Sequence, residues 1–138
     1  MTPPRDLTIV IVSYNVRDDL DRCLASLHHP APALAHDIVV VDNASSDDSV
    51  AMVRARYPGV QVLALQENRG FAAANNAGIR ATADPGSRWV LLLNSDTIVP
   101  AGAVERLVER AEAVQGVGIA GPRLVDGEGR PELSFGRM

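Results

Sequence analysis

The chain is built from short apolar blocks separated by polar ones, and the period inside the blocks switches between about two and about 3.6. Residues 7–12 form a β-branched apolar run that ends at Ser13-Tyr14-Asn15, which predicts a first strand. From Asp18 onward Leu20, Cys23, Leu24 and Leu27 fall at i, i+3, i+4 and i+7, lining one face of a helix. His28 and His29 follow at its end, suited to a helix C-terminus or to solvent. Residues 38–41 make a second strand, cut off by Asp42-Asn43-Ala44-Ser45-Ser46-Asp47, with Ser46 or Asp47 placed to cap the next helix. That helix carries Val50, Val53 and Tyr57 and stops at Pro58-Gly59. A third strand over 60–65 gives way to Glu67-Asn68-Arg69-Gly70, and an Ala-rich helix over 71–83 runs to Asp84-Pro85-Gly86.

The fourth strand organises the rest. Trp89 is followed by four apolar residues, 90–93, too few for a helix and suited to a strand buried on both faces of a parallel sheet. It ends abruptly at Asn94-Ser95-Asp96. A helix over 103–114 and a short fifth strand over 117–120 come next. Residues 124–125 and 132–133 then flank Asp126-Gly127-Glu128-Gly129, the pattern of a hairpin or returning loop. Strands alternating with helices predict an α/β fold: three α/β/α layers, a mostly parallel sheet and right-handed crossovers. Four strands therefore deliver polar clusters to one edge, where open α/β sheets bind ligands.

With 138 residues, 46% of them hydrophobic, the chain has material for one sizeable core, so one domain over 1–138 is expected. A net charge of −4 with scattered Arg residues argues against a nucleic-acid or membrane-surface binder. Two Phe, two Tyr and one Trp leave few platforms for stacking bases of a single strand. The lone Cys23 cannot make an internal disulfide and reads as core. No run is apolar for long enough to span a bilayer or resembles a leader, so the expected place is the cytoplasm, possible association with the inner face of the plasma membrane included.

Two carboxylates at the edge suit separate tasks. An ionised Asp42 only accepts hydrogen bonds, which matches the N–H of uracil or thymine, or the N–H edge of guanine. Asp96 suits Mg²⁺ or Mn²⁺, hard cations held by one or two carboxylates with phosphates and water completing the shell. The plainer alternatives are that Asp42 caps a turn with Asn43 and that Asp96 caps the helix near Ala101.

Four motifs together resemble the inverting glycosyltransferases of family 2, whose GT-A domain is a Rossmann-like fold that binds nucleotide sugars. They are I-V-I-V-S-Y-N ending at Asn15, V-V-V-D-N-A-S ending at Ser45, E-N-R-G-F-A-A-A-N-N-A-G ending at Gly78, and L-L-L-N-S-D-T ending at Thr97. The later G-P-R-L-V-D-G-E-G-R is similar to the subgroup with bacterial rhamnosyltransferases of cell-wall and surface polysaccharide. The resemblance implies that Ser13, Tyr14 and Asn15 line the nucleotide pocket, that Asp42 reads the base, and that Asn43 supports it. It further implies that Asn68, Gly70 and Asn75 belong to the segment closing over nucleotide and sugar. Gly70 suits close backbone approach at a helix start whose N–H groups meet phosphate. Asn94-Ser95-Asp96 stands where the family has D-x-D, so a metal would rest mainly on Asp96, with Asn94 and Ser95 as neutral partners. Arg69 and Arg123 could meet phosphate, but solvated surface is the simpler reading of both.

The implied reaction transfers a sugar from a dTDP- or UDP-sugar to a polysaccharide or lipid-linked acceptor with inversion, which needs a general base near the acceptor hydroxyl. No residue after Asp96 matches the family's base; Asp126 and Glu128 sit in a Gly-rich turn. The chain is therefore expected to be the nucleotide-binding part of a transferase, with the acceptor side missing. A non-catalytic nucleotide-sugar-binding module is the alternative. A receiver-type or dehalogenase-type phosphotransfer domain is disfavoured, because strand one ends without a nucleophilic Asp and the chain has no Lys. A dinucleotide-binding domain is disfavoured by the absence of G-x-G-x-x-G after strand one. An incomplete sheet would leave apolar surface open, so a homo-oligomer is an expected possibility.

Overall fold

The computed structural model describes residues 5–83 and 86–132. The elements alternate as β1 (Arg5–Ser13), α1 (Arg17–His28), β2 (His36–Asp42), α2 (Ser49–Arg56), β3 (Gln61–Ala64), α3 (Phe71–Ala81), β4 (Ser87–Asn94) and α4 (Ala103–Glu112). The four strands form one parallel sheet in the order β3-β2-β1-β4. Chain order reverses direction at β1: β2 and β3 build out on one side and β4 on the other. A crevice opens beyond the strand ends at such a switch point.

Alternation along the strands divides the core into two layers. Leu7, Ile9, Ile11, Ile38 and Val40 face α1, α2 and α4, meeting Leu20, Cys23, Leu24, Leu27, Met52, Val53, Val104 and Val108. Each such fully buried aliphatic side chain contributes about 1.5–3 kcal/mol. The buried face of α1 is the one its 3.6-residue spacing predicts. Asp18 and Asp19 in its first turn and His28 in its last suit the helix dipole.

The opposite face, Val10, Val39 and Val41, is covered by α3 through Ala74 and Ile79. Close approach there requires Gly78. A Cβ on it would stand 2.6 Å from Val10 Cγ1 and 2.8 Å from Val41 Cγ2, so the side chain must be missing.

The structure corrects two expectations. First, among the described residues β4 is an edge strand, and it is not buried on both faces. Trp89, Leu91 and Leu93 pack on the larger core, while Val90 and Leu92 are 43% and 49% exposed. α3 packs on β1 and β2 and leaves that face of β4 uncovered. Second, residues 117–120 form no strand: Ile119 is 95% exposed, and among the described residues no neighbour pairs with them through the ladder bonds that a strand needs. The expected returning loop exists in reduced form, as a single antiparallel bridge between Val125 and Pro131 and a bond from Glu132 N–H to Leu124 O (2.9 Å). Leu133 lies outside the described residues. The helices over 71–83 and 103–114 end earlier than expected, at Ala81 and Glu112.

Candidate functional site

Ser13 closes β1, and its register partner on β2 is Asp42. Partners in a parallel pair extend to the same face, so the hydroxyl and the carboxylate stand side by side about 5 Å apart at the backbone. Ser13 is 1% exposed and Asp42 3%. Asp42 Oδ2 accepts the Ser45 N–H at 2.9 Å. Asp42 Oδ1 and Ser13 Oγ are buried and have no hydrogen-bond partner among the described residues. Leaving a buried polar atom unpaired costs about 1–3 kcal/mol, and more for a charged group, so these two neighbours call for a partner, a water molecule or a ligand group.

The loops around this pair are tied together. Asn15, at φ +53°, uses Oδ1 to accept the Ser46 N–H (2.7 Å) and hydroxyl (3.2 Å), and donates its own N–H to Ser45 Oγ (2.9 Å). Ala44 sits at φ +67°, a left-handed conformation that an alanine adopts only when its surroundings hold it there. Asn43 reaches the other way. Its Nδ2 donates to Asn68 Oδ1 (3.0 Å) and Gly70 O (3.4 Å), and its Oδ1 accepts the Arg69 N–H (2.8 Å). Gly70 occupies the N-cap of α3 at φ +78°, with open space where a Cβ would be.

Asp47 works at both helix starts. Its Oδ2 accepts the Arg17 N–H at the start of α1, and its Oδ1 accepts from Ser49 N–H and hydroxyl at the start of α2. Burial opposes its charge, but these hydrogen bonds and the nearby Arg17 guanidinium hold its carboxyl below the usual range. The residue at the N-cap of α2 is Asp48.

On the other side of β1, Asn94 is the partner of Val12. Asn94 and Asp96 are exposed and Ser95 half-buried, and a turn forms with Thr97 N–H on Asn94 O (3.2 Å). The buried Cys23 thiol lies under this turn, 3.7 Å from Asn94 O. Burial, and then the charge of Asp96, pushes that thiol up to about 12. The turn and Asp42 are carried two strands apart, about 10 Å.

Among the described residues no three His, Cys, Asp or Glu side chains cluster as a metal cage. The donor set is one exposed carboxylate, Asp96, flanked by neutral Asn94 and Ser95. It fits a hard cation that takes most of its shell from phosphate and water, and it does not fit zinc or another ion needing several protein ligands.

The structure thus brings Ser13, Asn15, Asp42, Asn43, Asn68 and Gly70 into one linked group and places Asn94, Ser95 and Asp96 across β1 from it. Tyr14 is exposed at its rim. Asn75 lies a turn inside α3, buried, with Nδ2 on Phe71 O (3.0 Å). Arg69 is exposed beside Glu67, and Arg123 is exposed. Asp126 spends both oxygens in its own turn, on the Glu128 and Arg130 N–H groups and the Arg130 guanidinium, which holds its carboxyl below the usual range. It is poorly suited to take a proton. Ser45, which links Asp42 to Asn15, is absent from the site residues singled out by sequence; its signal was its place three residues after Asp42, where a capping-type Asp side chain can accept its N–H.

No helix among the described residues is long and apolar enough to cross a membrane. Comparisons with known proteins agree with the fold. The chain is 38% identical over 124 residues to the succinoglycan biosynthesis protein ExoO of Rhizobium meliloti, covering 82% of this chain and 33% of that protein. It is 30% identical over 131 residues to the N-acetylglucosaminyl-diphospho-decaprenol L-rhamnosyltransferase of Mycobacterium tuberculosis, covering 89% of this chain and 42% of the relative. The chain therefore spans about a third to two-fifths of these relatives. The crystal structure of S. aureus TarS 1-349 in complex with UDP-GlcNAc superposes with a TM-score of 0.68 at 19% identity, over 84% of this chain and 37% of that one, which establishes the shared fold. The family model described as Glycosyl transferase family 2 matches residues 8–136, and the chain belongs to that family.

Proposed function

We propose that this chain binds a pyrimidine nucleoside-diphosphate sugar, a dTDP- or UDP-sugar, as the donor-binding part of an inverting glycosyltransferase. The observation that carries the reading is the pair of buried oxygens without partners, Asp42 Oδ1 and Ser13 Oγ. Uracil and thymine present one N–H flanked by carbonyls. The N–H matches Asp42 Oδ1, and a neighbouring carbonyl matches the Ser13 hydroxyl as donor. Guanine presents two N–H groups side by side and asks for both carboxylate oxygens. Asp42 Oδ2 is already engaged by Ser45, which favours the pyrimidine.

The rest of the edge supplies the remaining roles. The start of α3 at Gly70 offers N–H groups to a diphosphate, and Asn68 and Asn75 belong to the segment beside it. Asp96, with Asn94 and Ser95, would hold Mg²⁺ or Mn²⁺, whose charge, when bound, offsets that of the departing diphosphate. Tyr14 at the rim suits contact with the base or ribose. The relatives' names support a polysaccharide or lipid-linked glycan acceptor and agree with a rhamnosyltransferase-like subgroup. Neither carboxylate of the Gly-rich turn is a good acceptor base, since Asp126 is engaged and Glu128 pairs with Arg130 at 2.9 Å. Binding without transfer is the second reading, and this observation favours it for the described part of the chain.

A thermal-shift screen of UDP-, dTDP- and GDP-sugars, with and without Mn²⁺, tests the reading, because a ligand that binds the native state raises its melting temperature. The pyrimidine compounds are expected to raise the melting temperature most, with a further rise on adding Mn²⁺. Asp96→Asn is expected to remove that further rise and keep the metal-free shift. No shift with any of the three nucleotides would reject the reading.

A further inference from the structure

Asn43 adjoins Asp42, yet the two side chains serve different loops. Asp42 bonds Ser45, while Asn43 leaves the end of β2 for the segment that opens α3. Asn43 is 3% exposed, and three of its four hydrogen-bonding positions are spent on Asn68, Arg69 and Gly70. Asn68 Oδ1 also takes the Gly70 N–H (2.9 Å), so one amide closes the network on both sides. The segment has little else to hold it: the Arg69–Glu67 pair is exposed at 3.6 Å, and α3 has no side-chain cap. We propose that Asn43 is a positioning residue that holds Asn68-Arg69-Gly70 in the form that receives the diphosphate, setting affinity for the phosphates without touching nucleotide. This rests on the nucleoside-diphosphate reading above. It assigns Asn43 to the phosphate side of the site, not to the base beside Asp42.

The test compares uridine with UDP, by NMR titration of wild type, Asn43→Ala and the near-isosteric Asn43→Leu, with melting curves to establish folding. Losing two or three hydrogen bonds of ordinary strength should weaken UDP about tenfold or more. Uridine, which carries base and ribose but no phosphate, should change less than about twofold, because Ser13 and Asp42 are untouched. Amide exchange at Arg69 and Gly70 should speed up while β1 and β2 stay protected. An equal fall for uridine and UDP, unchanged UDP affinity, or failure of both variants to fold would overturn the proposal. If wild type binds neither compound, the nucleotide reading itself fails and takes this one with it; a wild type that binds both isolates the failure to Asn43.

Discussion

Tyr57 and Cys23 are two residues whose protons the fold holds more tightly than usual. Burial pushes the Tyr57 hydroxyl up to about 12, helped by its bond to Asp21 Oδ1 (2.6 Å) and the charge of that carboxylate. Cys23 reaches about 12 as well. Both groups are neutral when protonated, and their unfolded values are near 10 and 8.5. Their contribution to stability is therefore fully present below those values and is lost as pH rises toward 12. The melting temperature should fall from about pH 9 upward. Tyr57→Phe should lower it at neutral pH, by losing the Asp21 bond, yet make the alkaline decline shallower; an unchanged slope would contradict the assignment. At this scale the sequence was informative where chemistry is local. A carboxylate directly after an apolar run identifies Asp42 as an edge residue. That its Oδ2 would be occupied and its Oδ1 left alone depends on Ser45 and on the left-handed turn at Ala44, which composition does not announce.

Of the helices read by period, α1 was read correctly and α2 only in part: Val53 is buried as expected, but Met52 is buried where Val50 is half-buried, and Tyr57 is buried just past the helix end. The period of α1 names its four buried residues because a helix on a sheet has one apolar stripe. β4 shows the limit. An apolar run looks the same whether the second face is fully covered or only partly, and Val90 and Leu92 stay about half exposed because α3 packs mainly on β1 and β2. Strand order, and with it the switch point beside β1, is equally hidden in a one-dimensional pattern. Gly78 makes the α3 packing testable. Alanine favours helices over glycine by about 1 kcal/mol. A Cβ would nevertheless press on Val10 and Val41 at under 3 Å, and overpacking of this kind costs about 1–3 kcal/mol. Gly78→Ala should therefore lower the melting temperature or at best leave it level. A clear rise would mean that α3 has room to move off the sheet.

Across the molecule, one parallel sheet brings together the polar ends of strands as far apart in the chain as Ser13 and Asn94, and two staples fix three of them. Asn15 with Ser45 and Ser46 joins the loops after β1 and β2, and Asn43 joins the loops after β2 and β3. A site tied in this way is formed before its ligand arrives, which spares the ordering cost of binding. The uncovered face of β4 continues into an apolar cleft lined by Trp89, Leu92, Leu107, Val108 and Ile119, on the flank of the sheet away from β2 and β3. Apolar lining of this kind has no group to read a base, which separates it from the Ser13–Asp42 pair. Calorimetric titration of wild type and Asp42→Asn with UDP and CDP puts that pair to the most direct test. An asparagine that keeps its oxygen on the Ser45 N–H turns an amide donor toward the ligand, reversing what position 42 offers. Wild type should bind UDP in preference to CDP; Asp42→Asn should weaken UDP about tenfold or more, as expected for losing a charge-assisted hydrogen bond, and narrow or invert the preference, since cytosine carries an acceptor where uracil carries N–H. Equal loss of both nucleotides, or no change in their ratio, would contradict base reading at Asp42.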